Sequence, residues 1–371
     1  MLINNHPRFL LRDLFSRHTS SLKKLFNDHE YFLMANARTA LFHGVSVLRS
    51  EGRNTILMPS YNCGEEVEAV SNAGYFIDFY RIDENCMPDL DDLEKRIDSK
   101  SLAIQVTHFN GFPQPIVKIR SICEKYSLYL IEDCAHVLHS SLDGKPLGTF
   151  GDISVFSPRK FLPTRNGGVL ILNNPRLLSN LSLGSLNKIP LFSELKFFTK
   201  LWYQNNFTKE LSSARECMTG CYKEISLDNP ETHDFSTSAY NYSISPLSEY
   251  LLNKFDYNKI RDIRRNNYNY LFKMTTEIEG IRCLQGLTKP DICPLYLLLE
   301  VPDPWSLGNY LLQGSIASRV FWNWYHNKFP FREHYCSTSL KQHVLALPIH
   351  QDLDFNDMNN IYSSLVKYFQ H

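Results

Sequence analysis

Two short segments hold the residues best suited to chemistry. In Phe156-Ser157-Pro158-Arg159-Lys160, followed by Gly167-Gly168, a lysine stands just beyond an apolar run of strand character. A lysine desolvated at a strand end is an amine nucleophile able to form an imine with an aldehyde cofactor. Ser157, three residues earlier, can offer its hydroxyl to a phosphate held close by. Taken singly, such a lysine is ordinarily a solvated end-cap with its stem on the surface. The second segment, Leu130-Ile131-Glu132-Asp133-Cys134-Ala135-His136, is an apolar run that ends abruptly in acid. Burying a carboxylate there is costly unless a cation pairs with it. The protonated pyridine nitrogen of pyridoxal 5'-phosphate (PLP) is such a cation, and the pairing would make Asp133 the group that keeps the ring an electron sink. His136 would then either hydrogen-bond the 3-oxygen of the ring or serve as a core histidine satisfied by backbone.

Two weaker segments complete the set. Asn36-Ala37-Arg38-Thr39-Ala40-Leu41 is a small-residue turn opening an amphipathic pattern. Free N–H groups at a helix start suit a phosphate, and Thr39 adds a hydroxyl, although such caps are common without any ligand. Ser238-Ala239-Tyr240-Asn241-Tyr242-Ser243 offers one polar Asn241 among aromatics and is uninformative by itself. Cys217 and Cys221 are spaced as neighbours on one helix face, but the further ligands of a zinc site are not nearby, so no metal is expected.

The elements that must position these residues follow from periodicity. Apolar runs at Thr55–Met58, Tyr75–Tyr80, Leu102–Thr107, Leu128–Glu132, Ile153–Phe156 and Val169–Leu172 alternate with helix patterns at Thr39–Ser50, Glu65–Ala73, Asp89–Arg96 and Ile116–Tyr126. That alternation predicts a mostly parallel sheet covered by helices, with ligands at the strand ends. The N-terminus, with Arg8, Arg12, Asp13, Arg17, Lys23 and Lys24 among Leu and Phe, reads as a docking helix. Residues 180–235 lack a clean period and read as irregular helices and loops. A long helix is expected after Pro246, followed by strands at Leu295–Val301 and Ala317–Trp322 and a last helix at Asn356–Phe369. The 39 basic side chains balance 39 acidic ones, so bulk charge recruits neither nucleic acid nor a membrane. No apolar run approaches the roughly 20 residues that cross a bilayer. Nine scattered cysteines, an odd number without a framework, point to reduced cytoplasm.

In combination the segments are recognisable: over most of residues 30–370 the chain resembles the DegT/StrS family of PLP-dependent sugar aminotransferases, fold type I of the aspartate aminotransferase superfamily. Glu132 to His136 matches the family's E-D-x-A followed by Q or H. Gly151-Asp152-Ile153-Ser154-Val155-Phe156-Ser157 matches its G-D-I-x-x-F-S, and Lys160 with Gly167-Gly168 matches the cofactor lysine and the glycine pair beyond it. Ala37-Arg38-Thr39-Ala40 looks like its Gly-Thr-Ala turn, Pro59-Ser60-Tyr61-Asn62 like P-S-x-T and His108-Phe109-Asn110-Gly111 like H-x-x-G. Tyr240-Asn241-Tyr242-Ser243 looks like Y-N-x-R, and Leu345-Ala346-Leu347-Pro348-Ile349 like L-x-L-P-I.

The resemblance implies an α/β fold: a large PLP-binding domain at 1–245 with a mostly parallel seven-stranded sheet, and a small C-terminal α+β domain at 246–371. It implies Lys160, Asp133 and His136 as catalytic residues, with Ser157, Ala37, Arg38, Thr39, Asn241 and Cys63 also on the cofactor. Asn241 would reach the phosphate bound by the neighbouring chain of a homodimer with shared sites. The implied reaction moves an amino group from glutamate to a nucleotide-linked keto sugar, in cell-surface polysaccharide or amino-sugar biosynthesis. Lysine at 160 speaks against the family's dehydratases, which carry histidine there. The chain also departs from the family pattern. The interval from Asp152 to Lys160 is about two residues shorter, Arg38 replaces a glycine, Ser243 stands where the family's arginine meets substrate, and Cys63, with Tyr61 nearby, stands where an aromatic stacks on the ring. Cofactor binding is thus expected intact and substrate recognition altered. That leaves open a PLP-dependent lyase, amination of a non-sugar carbonyl, or a non-catalytic PLP-binding regulator.

Overall fold

The computed structural model describes residues 2–16, 22–26, 29–184, 186–207 and 240–370; Cys217, Cys221, Ser238 and Ala239 lie outside them. Thirteen strands are formed among these residues. They are β1 (Tyr31–Met34), β2 (Thr55–Pro59), β3 (Phe76–Tyr80), β4 (Ser101–Thr107), β5 (Tyr129–Cys134), the hairpin β6 (Ser141–Leu142) and β7 (Lys145–Pro146), β8 (Ile153–Phe156), β9 (Gly168–Leu172), β10 (Arg282–Cys283), β11 (Leu297–Glu300), β12 (Arg319–Val320) and β13 (Val344–Leu347).

The large sheet has seven strands in the order β1-β9-β8-β5-β4-β2-β3. From β8 to β3 all pairings are parallel, while β9 runs antiparallel to both β8 and β1. Helices Glu65–Asn72, Leu90–Lys95 and Ile116–Tyr126 make the crossovers that parallel neighbours require. Strand alternation divides the apolar side chains between two faces. Leu57, Leu130, Val169 and Ile171 pack into one core, and Ile56, Met58, Ile131, Leu170 and Leu172 into the other. A sheet covered on both faces therefore reads as continuous apolar runs.

A second sheet of four strands, β10-β11-β13-β12, has a core cluster of its own that includes Leu297, Leu299, Leu345, Leu347, Ile361 and Leu365. The helix expected after Pro246 is two helices, Pro246–Leu252 and Tyr257–Thr275, because Ser245 and Asp256 each cap a fresh start. In place of one N-terminal docking helix there are single turns at Leu11–Leu14 and Leu22–Leu25. Ile3 instead pairs with Ile316 and joins the core of the second sheet.

Seven of the eight expected strands start or end a residue or two away from their predicted limits, and Ile153–Phe156 keeps both. The shift that matters is in β5, which continues through Asp133 to Cys134. Asp133 is thus held inside the ladder, its carbonyl accepting from His108 N–H at 3.1 Å. Strand β1 was not anticipated. Its four residues do not alternate, and only pairing with β9 extends them.

Candidate active site

The carboxyl ends of β2, β4, β5 and β8 bring the chemistry-bearing segments to one edge of the sheet, where open α/β sheets bind ligands. Asp133 is buried there. Its Oδ1 accepts from the Ala135 N–H at 2.9 Å, and no cation forms an ion pair with it among the described residues. Burial, together with the nearby carboxylate Glu66, pushes its pKa up to about 6, against the opposing pull of the Ala135 amide, Lys160 and His108. An acid in this state lacks a cation, and a pyridinium nitrogen would supply one.

The neighbouring acid is used differently. Glu132, on the other side of β5, accepts from the amides of Gly148, Phe150 and Gly151 at 2.9, 2.6 and 2.6 Å and faces His108 Nε2 at 3.0 Å. His108 Nδ1 accepts from Gln114 N–H at 3.2 Å, so Nε2 carries the proton donated to Glu132. His108, Glu132 and Cys134 have the spacing of a metal-ligand set. The Glu132 oxygens, however, are committed to backbone amides, and burial pushes the Cys134 thiol well above its usual range.

His136 is buried, and its Nδ1 accepts from Asn110 N–H at 3.3 Å. Burial and the charges of Lys160 and Arg319 hold its pKa far down. The ring is therefore neutral with the proton on Nε2, a donor toward the site. Lys160 follows β8 in a single 3-10 turn, Pro158–Lys160, begun by the buried Ser157. Its charge acts on Asp133, His136 and Cys63 alike. The Cys63 thiol donates to Glu66 at 2.6 Å, and burial and Glu66 push its pKa well up, so it stays protonated.

The phosphate-type turn also forms. Helix Ala37–Ser46 is capped by Asn36, whose Oδ1 accepts from the Thr39 N–H at 2.9 Å and from the Thr39 hydroxyl at 3.2 Å. Thr39 thus serves the cap, and the amides of Ala37 and Arg38 are the donors at the helix start. Gly168 lets β9 approach this turn: a Cβ there would lie 2.1 Å from the carbonyl of Asn36. Asn241 is exposed beside it, in a segment that bridges to the end of β1 through Ala35 N–H and Tyr242 O at 3.0 Å. An unpaired buried acid, an amine, a neutral histidine donor and a capped helix start fit PLP.

Several contributors were not legible as site residues. Trp322, in the left-handed region at φ 53°, packs its ring 4.9 Å from His136 and 5.0 Å from Tyr61. Trp324 lies against Gly64, where a Cβ would come within 2.3 Å of the indole. Fully buried Lys341 holds this turn: its Nζ donates to the carbonyls of Trp322 and Trp324 at 3.2 and 3.1 Å and to that of Asn62. Burial lowers its pKa to about 8. On the other side, buried Arg264 bonds Leu295 O and Phe161 O, next to Lys160. The adjacent aromatics of 321–325 were a signal in sequence, whereas Lys341 and Arg264 had none.

The DegT/DnrJ/EryC1/StrS aminotransferase family model matches residues 19–188. GDP-perosamine synthase of Vibrio cholerae is 29% identical over 144 residues, 38% of this chain and 39% of that protein. The dTDP-4-dehydro-2,3,6-trideoxy-D-glucose 4-aminotransferase of Saccharopolyspora spinosa is 30% identical over 182 residues, 47% of each chain. The matches thus span less than half the length of these curated relatives. The PLP form of a Streptococcus pneumoniae protein superposes with a TM-score of 0.72 at 14% identity, covering 100% of this chain and 99% of that one, a likeness of fold. The match over residues 19–188 contains the acid, the lysine and the capped turn of the site just described, and over that stretch the chain is similar to the DegT/DnrJ/EryC1/StrS aminotransferase family.

Proposed function

We propose that the chain is a PLP-dependent aminotransferase that moves an amino group from glutamate to a keto sugar, nucleotide-linked, in cell-surface polysaccharide or amino-sugar biosynthesis. One observation carries this reading: the buried Asp133 carboxyl has no cation of its own and shares a site with Lys160. PLP, when bound, supplies the electron sink for the carbon that loses its proton. Asp133 would pair with the pyridine nitrogen, and the Nε2–H of His136 would donate to the 3-oxygen. The Ala37 and Arg38 amides and Ser157 would hold the phosphate. Lys160 Nζ would hold the cofactor and then carry the proton as general base. Cys63 lines the site as a protonated thiol, and Asn241 would serve the phosphate of a second copy in a homodimer. The seven cysteines among the described residues are all free, in keeping with action in the reducing cytoplasm. Among the described residues no helix is long and apolar enough to cross a membrane.

The test uses the protein with PLP and borohydride. Reduction should fix cofactor to Lys160 in the wild type and leave Lys160→Ala unlabelled. Label on another lysine, in particular the buried Lys341, would reject the assignment.

A further inference from the structure

A group of cations at the mouth of the site forms no ion pair among the described residues. Arg319 lies in β12, and the Phe321 N–H continues that ladder to Val344 O at 2.8 Å, so Arg319 and Phe321 share a face of the strand. Phe321 on that face packs 5.5 Å from His136 and 6.0 Å from Tyr296, and Tyr296 meets His6 at 6.4 Å. His136, Phe321 and Tyr296 form one continuous buried wall, and His6 stands exposed at its outer end. Arg319 reaches the Tyr296 hydroxyl, and its charge acts on Tyr296, His6 and His136. Arg159, next to Lys160 and exposed, acts on Tyr296 and His6, and Lys160 acts on His6 and His136.

Three cations thus converge on a neutral aromatic wall. Among the described residues no carboxylate forms an ion pair with Arg159, Lys160 or Arg319. The buried wall cannot relieve the repulsion by ionising: burial and the charges of Lys160 and Arg319 hold His136 far down, and burial raises Tyr296. Like charges gathered beside a low-dielectric surface favour an anion, and guanidinium forks match a carboxylate in two parallel bonds.

We propose that Arg319, together with Arg159, forms the carboxylate-binding site for the amino donor, a dicarboxylic amino acid presented to Lys160 across the His136–Phe321–Tyr296 wall. The inference rests on the aminotransferase reading and deepens it by assigning donor recognition to β12 of the second sheet. Ser243 would then leave no gap in donor binding, since the cation comes from another strand.

Calorimetric titration of the PLP-loaded protein tests this with two probes. Glutarate has both carboxylates of the donor but no amine, and UDP carries a diphosphate. Arg319→Gln should weaken glutarate about tenfold or more and Arg159→Gln by a few-fold, while UDP binding stays within twofold. Arg319→Lys, which keeps the charge and loses the fork, should fall between. Unchanged glutarate affinity in the Arg319→Gln/Arg159→Gln double variant would overturn the proposal. Loss of UDP binding with glutarate retained would also overturn it, by giving the cations to the diphosphate. Borohydride fixation of PLP in the same samples keeps the two readings apart: fixation with unaltered glutarate binding rejects only the donor site, and absence of fixation in the wild type rejects the aminotransferase reading.

Discussion

The Asp133 carboxyl, pushed up to about 6 from 3.8 by burial and Glu66, holds its proton more tightly in the folded chain than in the unfolded one. Its contribution to stability is therefore full below about 4 and is lost as pH rises through about 6, by about 3 kcal/mol for a shift of this size. Asp133→Asn removes that loss. The cofactor-free variant should be more stable than the wild type near pH 7 and similar to it near pH 4, as read by denaturant unfolding at both values. Chemistry should move the other way. With PLP saturating, the half-reaction with the amino donor should slow by ~10²-fold or more, because the lost anion matters most in the transition state. Equal half-reaction rates would remove Asp133 as partner of the ring nitrogen, and a wild-type stability flat between pH 4 and 7 would contradict its uncompensated burial.

Between elements, the closest approach is that of β9 to the start of helix Ala37–Ser46. Gly168→Ala would set a Cβ 2.1 Å from the backbone of Asn36 and 2.6 Å from the amide nitrogen of Ala37. Backbone cannot rotate aside, so the cap must move, at a cost of about 2 kcal/mol or more. Since the same turn offers the amides of Ala37 and Arg38, PLP affinity should drop along with stability. Gly286→Ala, which meets nothing within 4 Å, is the control and should leave both unchanged. Equilibrium PLP titration of the two variants reads the difference. A Gly168→Ala protein with wild-type affinity would separate this turn from the phosphate.

Over the whole molecule, two buried cations tie the C-terminal part of the chain to the large sheet's loops, Arg264 at Phe161 and Lys341 at Asn62. Lys341→Met would leave three carbonyls without their donor and release the Trp322–Trp324 turn, with a stability loss of about 3 kcal/mol. Thermal unfolding should show that loss, and PLP titration a weaker affinity from the loosened wall beside His136. Unaltered values in both would mean that the two parts hold together without this tie. At the level of assembly, sedimentation should find a homodimer, and Asn241→Ala should weaken PLP binding although Asn241 is exposed within its own chain. A monomer fully loaded with PLP would reject shared sites.

The sequence by itself determined where Asp133, His136, Ser157 and Lys160 stand, because each sits within a few residues of an apolar run. Local periodicity therefore sets their place at the ends of β5 and β8. It also made five parallel strands and β9 legible, since all but the edge strand β3 are buried along nearly their whole length, while the short β1 depends on its partner. Only the tertiary structure decided which of the adjacent acids is spent on backbone and which is left for a ligand, as Glu132 and Asp133 face opposite sides of β5. It also decided the roles of Glu66, Arg264, Arg319, Trp322 and Lys341. Each stands outside the recognised motifs, and its partners lie far away along the chain. Packing between distant parts of the chain brings them to the site, and no local pattern encodes that juxtaposition.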